Sequence, residues 1–441
     1  MQQKLYAGYH KIKVTPPLGL PVPGYFAQRT SDGILSDLYL RCTAFSQGEK
    51  KALVFSVDCI SMNAQAFETI APMISQYCGV EEDGIYITCV HSHTAFRIVK
   101  PSEKWTDTDV FLQWLFKQFC TCAKLALEDL KPCTVKAAKG TAKGVGFIRV
   151  YRMKDGSVRT NPGFGNPDIV APLSQQDHEV QLVRVIRQEG TEILMVNFGT
   201  HADSVGGCKY CADWPGYLCD TLENAFGGEA DAMVLVGAQG NSNHMDFFMP
   251  TGTPYKGAEY YAKRMARTLA GEVLKIYDSA AETGDDTISY GSRIAKVGKN
   301  DYDPATVPMA QELVDLYKKY GNYNEPVFET YPMKVPEAIR IINNLARPEF
   351  FALRISGLRV GGIGFVGIPG EPFVSIGTDI KAQSPMKTTL VTCLTNGGQG
   401  YYPDAAAFAE KEGYERTSSP FAPNCGKILA DACLALLEEL K

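Results

Sequence analysis

The 441-residue sequence has no apolar run near the roughly 20 residues that a membrane-spanning helix needs. Stretches such as Leu53–Val57 stop after a few residues, so membrane insertion is not expected. A basic surplus is also missing: 44 Lys and Arg face 49 Asp and Glu, a net charge of −5. That balance offers a polyphosphate backbone nothing to hold, and it excludes nucleic acid as an expected partner. There is no repeat, low-complexity tract or long charged block, and 45% hydrophobic against 21% charged residues excludes a disordered or fibrous chain. The opening Met1-Gln2-Gln3-Lys4-Leu5 lacks the apolar core of a secretion signal. The 13 cysteines, an odd number spread from Cys42 to Cys433, suit reduced thiols better than a disulfide framework. We therefore expect a soluble, cytoplasmic protein that acts on a small molecule; the sequence says nothing about its oligomeric state.

What is present is an alternation of strands and helices. Leu53–Val57, Ile85–Val90, Ile193–Phe198, Met233–Val236 and Gly364–Ile368 are short, β-branched-rich runs of strand length. Phe350–Ile368 reads as a hairpin turning at Gly361-Gly362, which is too short and badly placed for a dinucleotide fingerprint. Helical spacing marks Ala64–Tyr77, Asp107–Leu130, Gly216–Phe226, Tyr255–Tyr277, Pro308–Tyr320, Glu337–Leu345 and Cys425–Leu440, as in Phe111, Trp114, Leu115 and Phe119. The class is α/β, with mixed sheets and packed helices around one large core, read as a single domain over 1–441. The most polar stretch, about 284–325, reads as an insertion or lobe.

Histidine is scarce, with only His10, His91, His93, His178, His201 and His244. Three of these follow directly on apolar runs. Ile85–Val90 leads into His91-Ser92-His93, Ile193–Phe198 into Gly199-Thr200-His201, and Gly364–Ile368 into Pro369-Gly370-Glu371-Pro372. Open α/β sheets bind ligands at the carboxyl ends of their strands, so these loops are expected to build one crevice. Residues at i and i+2 of an extended chain share a face, so His91 and His93 can reach one site. His91 or His93 with His201 and Glu371 makes the three-ligand set of a catalytic zinc, which leaves a position for water. Set against this is the plain reading of three histidines hydrogen-bonded in polar loops. Cys208-x-x-Cys211 has no second Cys pair and reads as free thiols near His201, while His10 and His178 are expected to hydrogen-bond locally.

Taken in order, Tyr9–Leu18, His91-Ser92-His93-Thr94, Gly199-Thr200-His201, Gly240-Asn241-Ser242-Asn243, Pro369-Gly370-Glu371-Pro372 and Tyr402…Gly413-Tyr414-Glu415 resemble the neutral/alkaline non-lysosomal ceramidase family. The resemblance runs from about Ala7 to Pro420. It implies a zinc ion held by His91, His201, Glu371 and a tyrosine. That tyrosine falls on Tyr402, twelve positions before Tyr414 as in the family, with the adjacent Tyr401 as the alternative. The resemblance also implies His93 as the group acting on the proton or oxyanion, and Arg149 (with Arg152 competing) as the arginine that polarises substrate. Tyr414 joins Arg149 as a candidate oxyanion donor, which makes His93, Tyr414 and Arg149 the expected catalytic set. Asp213, in a stretch that also resembles a family motif, is expected to orient a histidine from behind. Asp58 has the same candidate role, against a plain reading as the N-cap of the helix beginning near Ala64.

The departures narrow the substrate. The family's proposed essential serine falls on Asn243, an amide that is no nucleophile, and Ser242 sits one position off. Asn243 and His244 are candidate substrate contacts. Thr94-Ala95-Phe96 replaces the family's Ser-Gly-Pro, and the family's C-terminal immunoglobulin-like domain has no counterpart. These features argue against ceramide. The expected activity is zinc-dependent hydrolysis of an amide or ester in a small soluble substrate. The alternatives are a metal-dependent lyase, isomerase or glycosidic-bond-cleaving enzyme acting on a carbohydrate, and a non-catalytic binding protein on the same scaffold.

Overall fold

A computed structural model describes residues 4–321, 325–410 and 412–441. The main sheet runs in the order Ala230–Val236, Glu192–Phe198, Glu179–Arg187, Lys131–Thr141, Tyr6–Lys13, Tyr39–Gln47, Lys50–Val57, Ile85–Cys89, and Ala281–Glu282 also pairs with Lys131–Thr141. Pairing is parallel at both ends of this order, Glu192–Phe198 with Ala230–Val236 and Lys50–Val57 with Ile85–Cys89, and antiparallel between them. A second sheet orders Ile288–Gly298, Phe350–Val360, Ile363–Gly367 and Thr388–Thr392.

Strand Lys50–Val57 shows why its sequence looks continuously apolar. Leu53, Phe55 and Val57 point into a core shared with helices Ala64–Cys78 and Asp107–Glu128. Ala52 and Val54 point the opposite way, into a core shared with Leu358, Phe365 and Leu390 of the second sheet. A strand covered on both faces loses the polar alternation of a half-exposed one. The second sheet is covered in turn, with Ile355, Val366 and Val391 packed against Ile380, Leu429 and Leu436 of helices Val374–Gln383 and Cys425–Leu440. The layers are therefore helix, sheet, sheet, helix.

Each apolar run read as a strand is one, each helical stretch holds a helix, and the hairpin turns between Val360 and Ile363. One boundary needs correction. Ile288–Gly298, inside the stretch read as an insertion, is a full strand paired along its length with Phe350–Val360. Only beyond it does a satellite cluster form, where Ala310, Leu313 and Val314 of helix Val307–Tyr320 meet Ala338 and Ile341 of Val335–Leu345.

The two ends of the main sheet are drawn together by the segment after Thr392. Cys393 N donates to Val236 O, Asn396 N donates to Ile87 O, and Thr88 Oγ1 donates to Cys393 O. Strand ends that are far apart in sheet order thus open onto one place. Among the described residues no helix is long and apolar enough to cross a membrane, and all thirteen cysteines are free.

Candidate metal centre and cleft

His91 follows strand Ile85–Cys89 with a backbone φ of +68°, a region that side-chain-bearing residues rarely enter. It is held there from two directions: its N–H donates to Cys59 O, and its ring Nδ1 lies 2.7 Å from Ile60 O. A strained backbone kept in place by its surroundings is characteristic of functional positions. His201, fully buried, places Nδ1 2.9 Å from Gln239 O and 3.0 Å from Ser242 O. Carbonyls only accept, so both rings carry their proton on Nδ1 and present an Nε2 lone pair.

Those lone pairs converge on one carboxylate oxygen. Glu371 Oε2 lies 3.2 Å from His91 Nε2 and 3.0 Å from His201 Nε2. His93 Nε2 sits 3.3 Å from His91 Nε2. His91, His93 and His201 form a buried group whose ligand atoms all lie within 4.8 Å of one another, an arrangement that could hold a metal ion. His201 Nε2 and Glu371 Oε2 are buried with no hydrogen-bond partner among the described residues. Electron-rich atoms gathered in this way could hold a cation among them, and imidazole nitrogen with carboxylate oxygen is a donor set that fits zinc. Burial alone would drive the Glu371 carboxyl up, but His91 and His201 hold it well below its usual range. Burial, reinforced by Arg149, lowers His201; burial pulls His91 down as well, but the charge and hydrogen bond of Glu371, with the Ile60 carbonyl and Asp203, together raise it.

Two glycines let the Glu371 loop approach. A side chain at Gly370 would meet the Tyr402 ring at 2.5 Å, and one at Gly240 would meet Glu371 O at 2.5 Å. Gly240 N donates to Pro372 O, and Arg149 N donates to Asn241 O, so the 240–241 turn ties these segments together.

The centre opens into a cavity of about 530 Å³ lined by His91, His93, Glu371, Tyr401, Tyr414 and Arg97, among others. This volume falls within the range of small-molecule sites. Tyr401 is the tyrosine that faces it, and the assignment to Tyr402 is corrected: the Tyr402 hydroxyl donates to Pro369 O, and its fully buried ring stacks on Phe421. Tyr401 and Tyr402 form a short strand, and neighbours on a strand point to opposite faces.

Arg149 is close to the cleft, but every contact it makes is internal. Nε donates to Glu415 at 2.6 Å, and Nη2 donates to Gly240 O at 3.0 Å and to the Tyr401 hydroxyl at 3.2 Å. Arg149 is absent from the cavity wall, and the side chain through which it touches that wall is Tyr401. Arg152 pairs with Glu410 at the surface.

Asp58 does not orient a histidine. It accepts from Arg41 Nη1 and Tyr39 N inside the core, and Asn63, not Asp58, caps helix Ala64–Cys78. Asp213 acts at one remove. Its carboxylate accepts from Ser204 N and Val205 N at 2.9 and 2.8 Å, which fixes the loop after His201, while Trp214 Nε1 donates to His201 O.

Asn243 and His244 are not brought to the cavity. Ser242 and Asn243 pair with Phe147–Ile148, and the Asn243 amide donates to Asn161 and accepts from Met245 N. His244 packs 5.4 Å from the Tyr261 ring, and burial lowers its pKa to about 4.

Several site residues escaped the sequence reading, Arg97 on the cavity wall among them. Asp203 lies 3.6 Å from His93 Nδ1 and accepts from the Tyr25 hydroxyl, while Glu415 anchors Arg149. Asp203 stands two positions after His201, the same i, i+2 spacing that singled out His91 and His93.

The same architecture recurs in solved structures. The neutral ceramidase from Pseudomonas aeruginosa matches with a TM-score of 0.73 at 14% identity, over 100% of this chain and 75% of that one. A second structure, described as ceramidase complexed with C2, matches with a TM-score of 0.72 at 14% identity, over 99% and 76%. The fold is that of the neutral ceramidases. At this identity the likeness is one of fold. No protein-family model matches the sequence, and no curated protein matches it.

Proposed function

We propose that this protein is a zinc-dependent hydrolase that cleaves an amide, or an ester, of a small soluble substrate. The observation that carries this reading is the pair of imidazoles, His91 and His201, whose protons are fixed on Nδ1 and whose Nε2 atoms meet at one Glu371 oxygen. These three residues would hold the ion, with Tyr401 beside them. When bound, zinc supplies Lewis acidity that polarises an acyl carbonyl and lowers the pKa of water from about 15.7 toward about 7.

The remaining steps fall to the chain itself. His93 borders the same centre with Nδ1 turned toward Asp203. Burial, opposed by Asp203, lowers its pKa to about 3, so it is a neutral base at physiological pH and can take a proton at Nε2. Asp203 orients the ring and favours the charged form that results, as the carboxylate of a catalytic dyad does. Tyr401 and Tyr414 line the cavity with rings 5.6 Å apart, and burial raises both phenols, so each keeps a proton to donate to an oxyanion. Arg149, donating to the Tyr401 oxygen, polarises that phenol from behind. The unpaired cysteines support a reducing, cytoplasmic setting.

The test is metal analysis of purified protein together with a panel of N-acyl amides, esters and glycosides turned over in ¹⁸O-water. Bound zinc, and label in the carboxylate product, are the expected results. Turnover without label incorporation would move the assignment to a lyase or isomerase.

A further inference from the structure

The cavity contains a positive charge that the proposed chemistry does not use. Arg97 lines its wall together with His91, His93 and Glu371. Among the described residues its guanidinium has neither a hydrogen bond nor an ion pair. The arginines deeper in this region are committed, Arg41 to Asp58 and Arg149 to Glu415. The carboxylates nearby are committed as well, Glu371 between two histidines and Asp203 between His93 and Tyr25.

The backbone holds Arg97 firmly. Arg97–Ile98 pairs in parallel with Ser61–Met62, placing Arg97 opposite Ser61, and Ile60 N donates to Phe96 O. Ile60 is also the residue whose carbonyl fixes the His91 ring. The backbones of the arginine and of the first histidine are thus mounted on the same short frame, from which the exposed Arg97 side chain reaches along the cavity wall. The rest of the wall supplies Ser61, Asn63, Gln399, Tyr401 and Tyr414, a polar setting for a polar ligand.

We infer that the substrate carries an oxyanion (a carboxylate, or a phosphate or sulfonate in its place) that pairs with Arg97 while the bond to be cut lies at the His91–His201–Glu371 centre. A guanidinium presents a planar fork that matches such groups in bidentate fashion. Charge balance points the same way. A divalent ion would be offset by Glu371 and Asp203 together, which leaves Arg97 as the positive charge on the wall without a counter-charge. This inference rests on the hydrolase reading for the bond, but not for the anion.

The test uses matched amides: N-acetylglycine, N-acetyltaurine and N-acetylphosphoethanolamine against neutral N-acetylglycinamide and N-acetylethanolamine. The zinc-loaded wild type is compared with Arg97→Gln and Arg97→Lys. The wild type is expected to favour one anionic compound in kcat/KM by roughly 10- to 100-fold, the range for a charged hydrogen bond. Arg97→Gln collapses that ratio and Arg97→Lys retains part of it, with zinc content and melting temperature equal to wild type. The same compounds are titrated calorimetrically into the wild type and Arg97→Gln. If nothing is turned over but Arg97→Gln weakens anion binding about tenfold, the hydrolase reading fails and the anion site stands. Turnover with no anionic preference, a preference that survives Arg97→Gln, or anion binding that is absent or insensitive to Arg97 overturns the inference.

Discussion

Glu371 and Tyr401 stand opposite one another in a two-stranded parallel ladder, and this pairing places a carboxylate and a phenol on the wall of the same cavity. The next pair in register, Pro372 and Tyr402, turns away from it. Two consecutive tyrosines therefore predict two different phenotypes. Tyr401→Phe removes a donor from the cleft and is expected to lower kcat by roughly 10²-fold, with little change in stability. Tyr402→Phe removes only the hydrogen bond to Pro369 O and should cost about 1 kcal/mol of unfolding free energy in urea, with activity retained.

The proposed metal centre predicts a loss of ion in two variants of different chemistry. Wild-type protein should contain one zinc per chain by mass spectrometry, and His201→Ala and Glu371→Gln should contain far less. Chelation should lower the melting temperature of the wild type and leave that of His201→Ala unmoved, because an ion that binds only the folded state stabilises it by mass action.

Asp58 and Arg41 predict a defect of stability without a defect of chemistry. Both are buried and paired at 2.8 Å. Asp58→Ala leaves the guanidinium buried without its counter-charge, at a cost of about 3–5 kcal/mol. Denaturant titration should show that loss, while zinc content per folded molecule stays at the wild-type value.

Asp203 predicts the reverse. Asp203→Asn removes the negative charge beside His93 Nδ1, and that charge raises the His93 pKa against its burial. Without it the ring is a weaker base and its protonated form loses support. The expected result is a fall in kcat of roughly 10²- to 10⁴-fold with zinc retained. Equal losses of zinc and activity would instead make Asp203 a support of the centre.

Much of this centre was legible in the sequence because its residues directly follow apolar runs. Strands covered on both faces print as uninterrupted stretches, so their ends, and the His91, His201 and Glu371 loops after them, could be located without a structure. The antiparallel strands between them were not legible. Tyr6–Lys13 carries Lys11 and Lys13, and Lys131–Thr141 carries Lys136 and Lys139, so neither forms a run. Register was the other blind spot. Counting back from Tyr414 lands on Tyr402, but strand alternation, which a one-residue offset reverses, assigns the cleft to Tyr401. The role of Asp58 was hidden for a different reason: its partner Arg41 lies on a neighbouring strand, and only the pairing of Tyr39–Gln47 with Lys50–Val57 brings them together.

The segment after Thr392 that ties both ends of the main sheet has a consequence for the order of events during folding. His91 hangs from one end of the sheet order, His201 from beside the other, and Glu371 from a different sheet. No single stretch of chain brings these three together, so an ion cannot gather them in advance. It would arrive as a latch on a finished frame. Nicking the backbone between these strands should therefore cost the protein its metal before it costs any one layer its secondary structure.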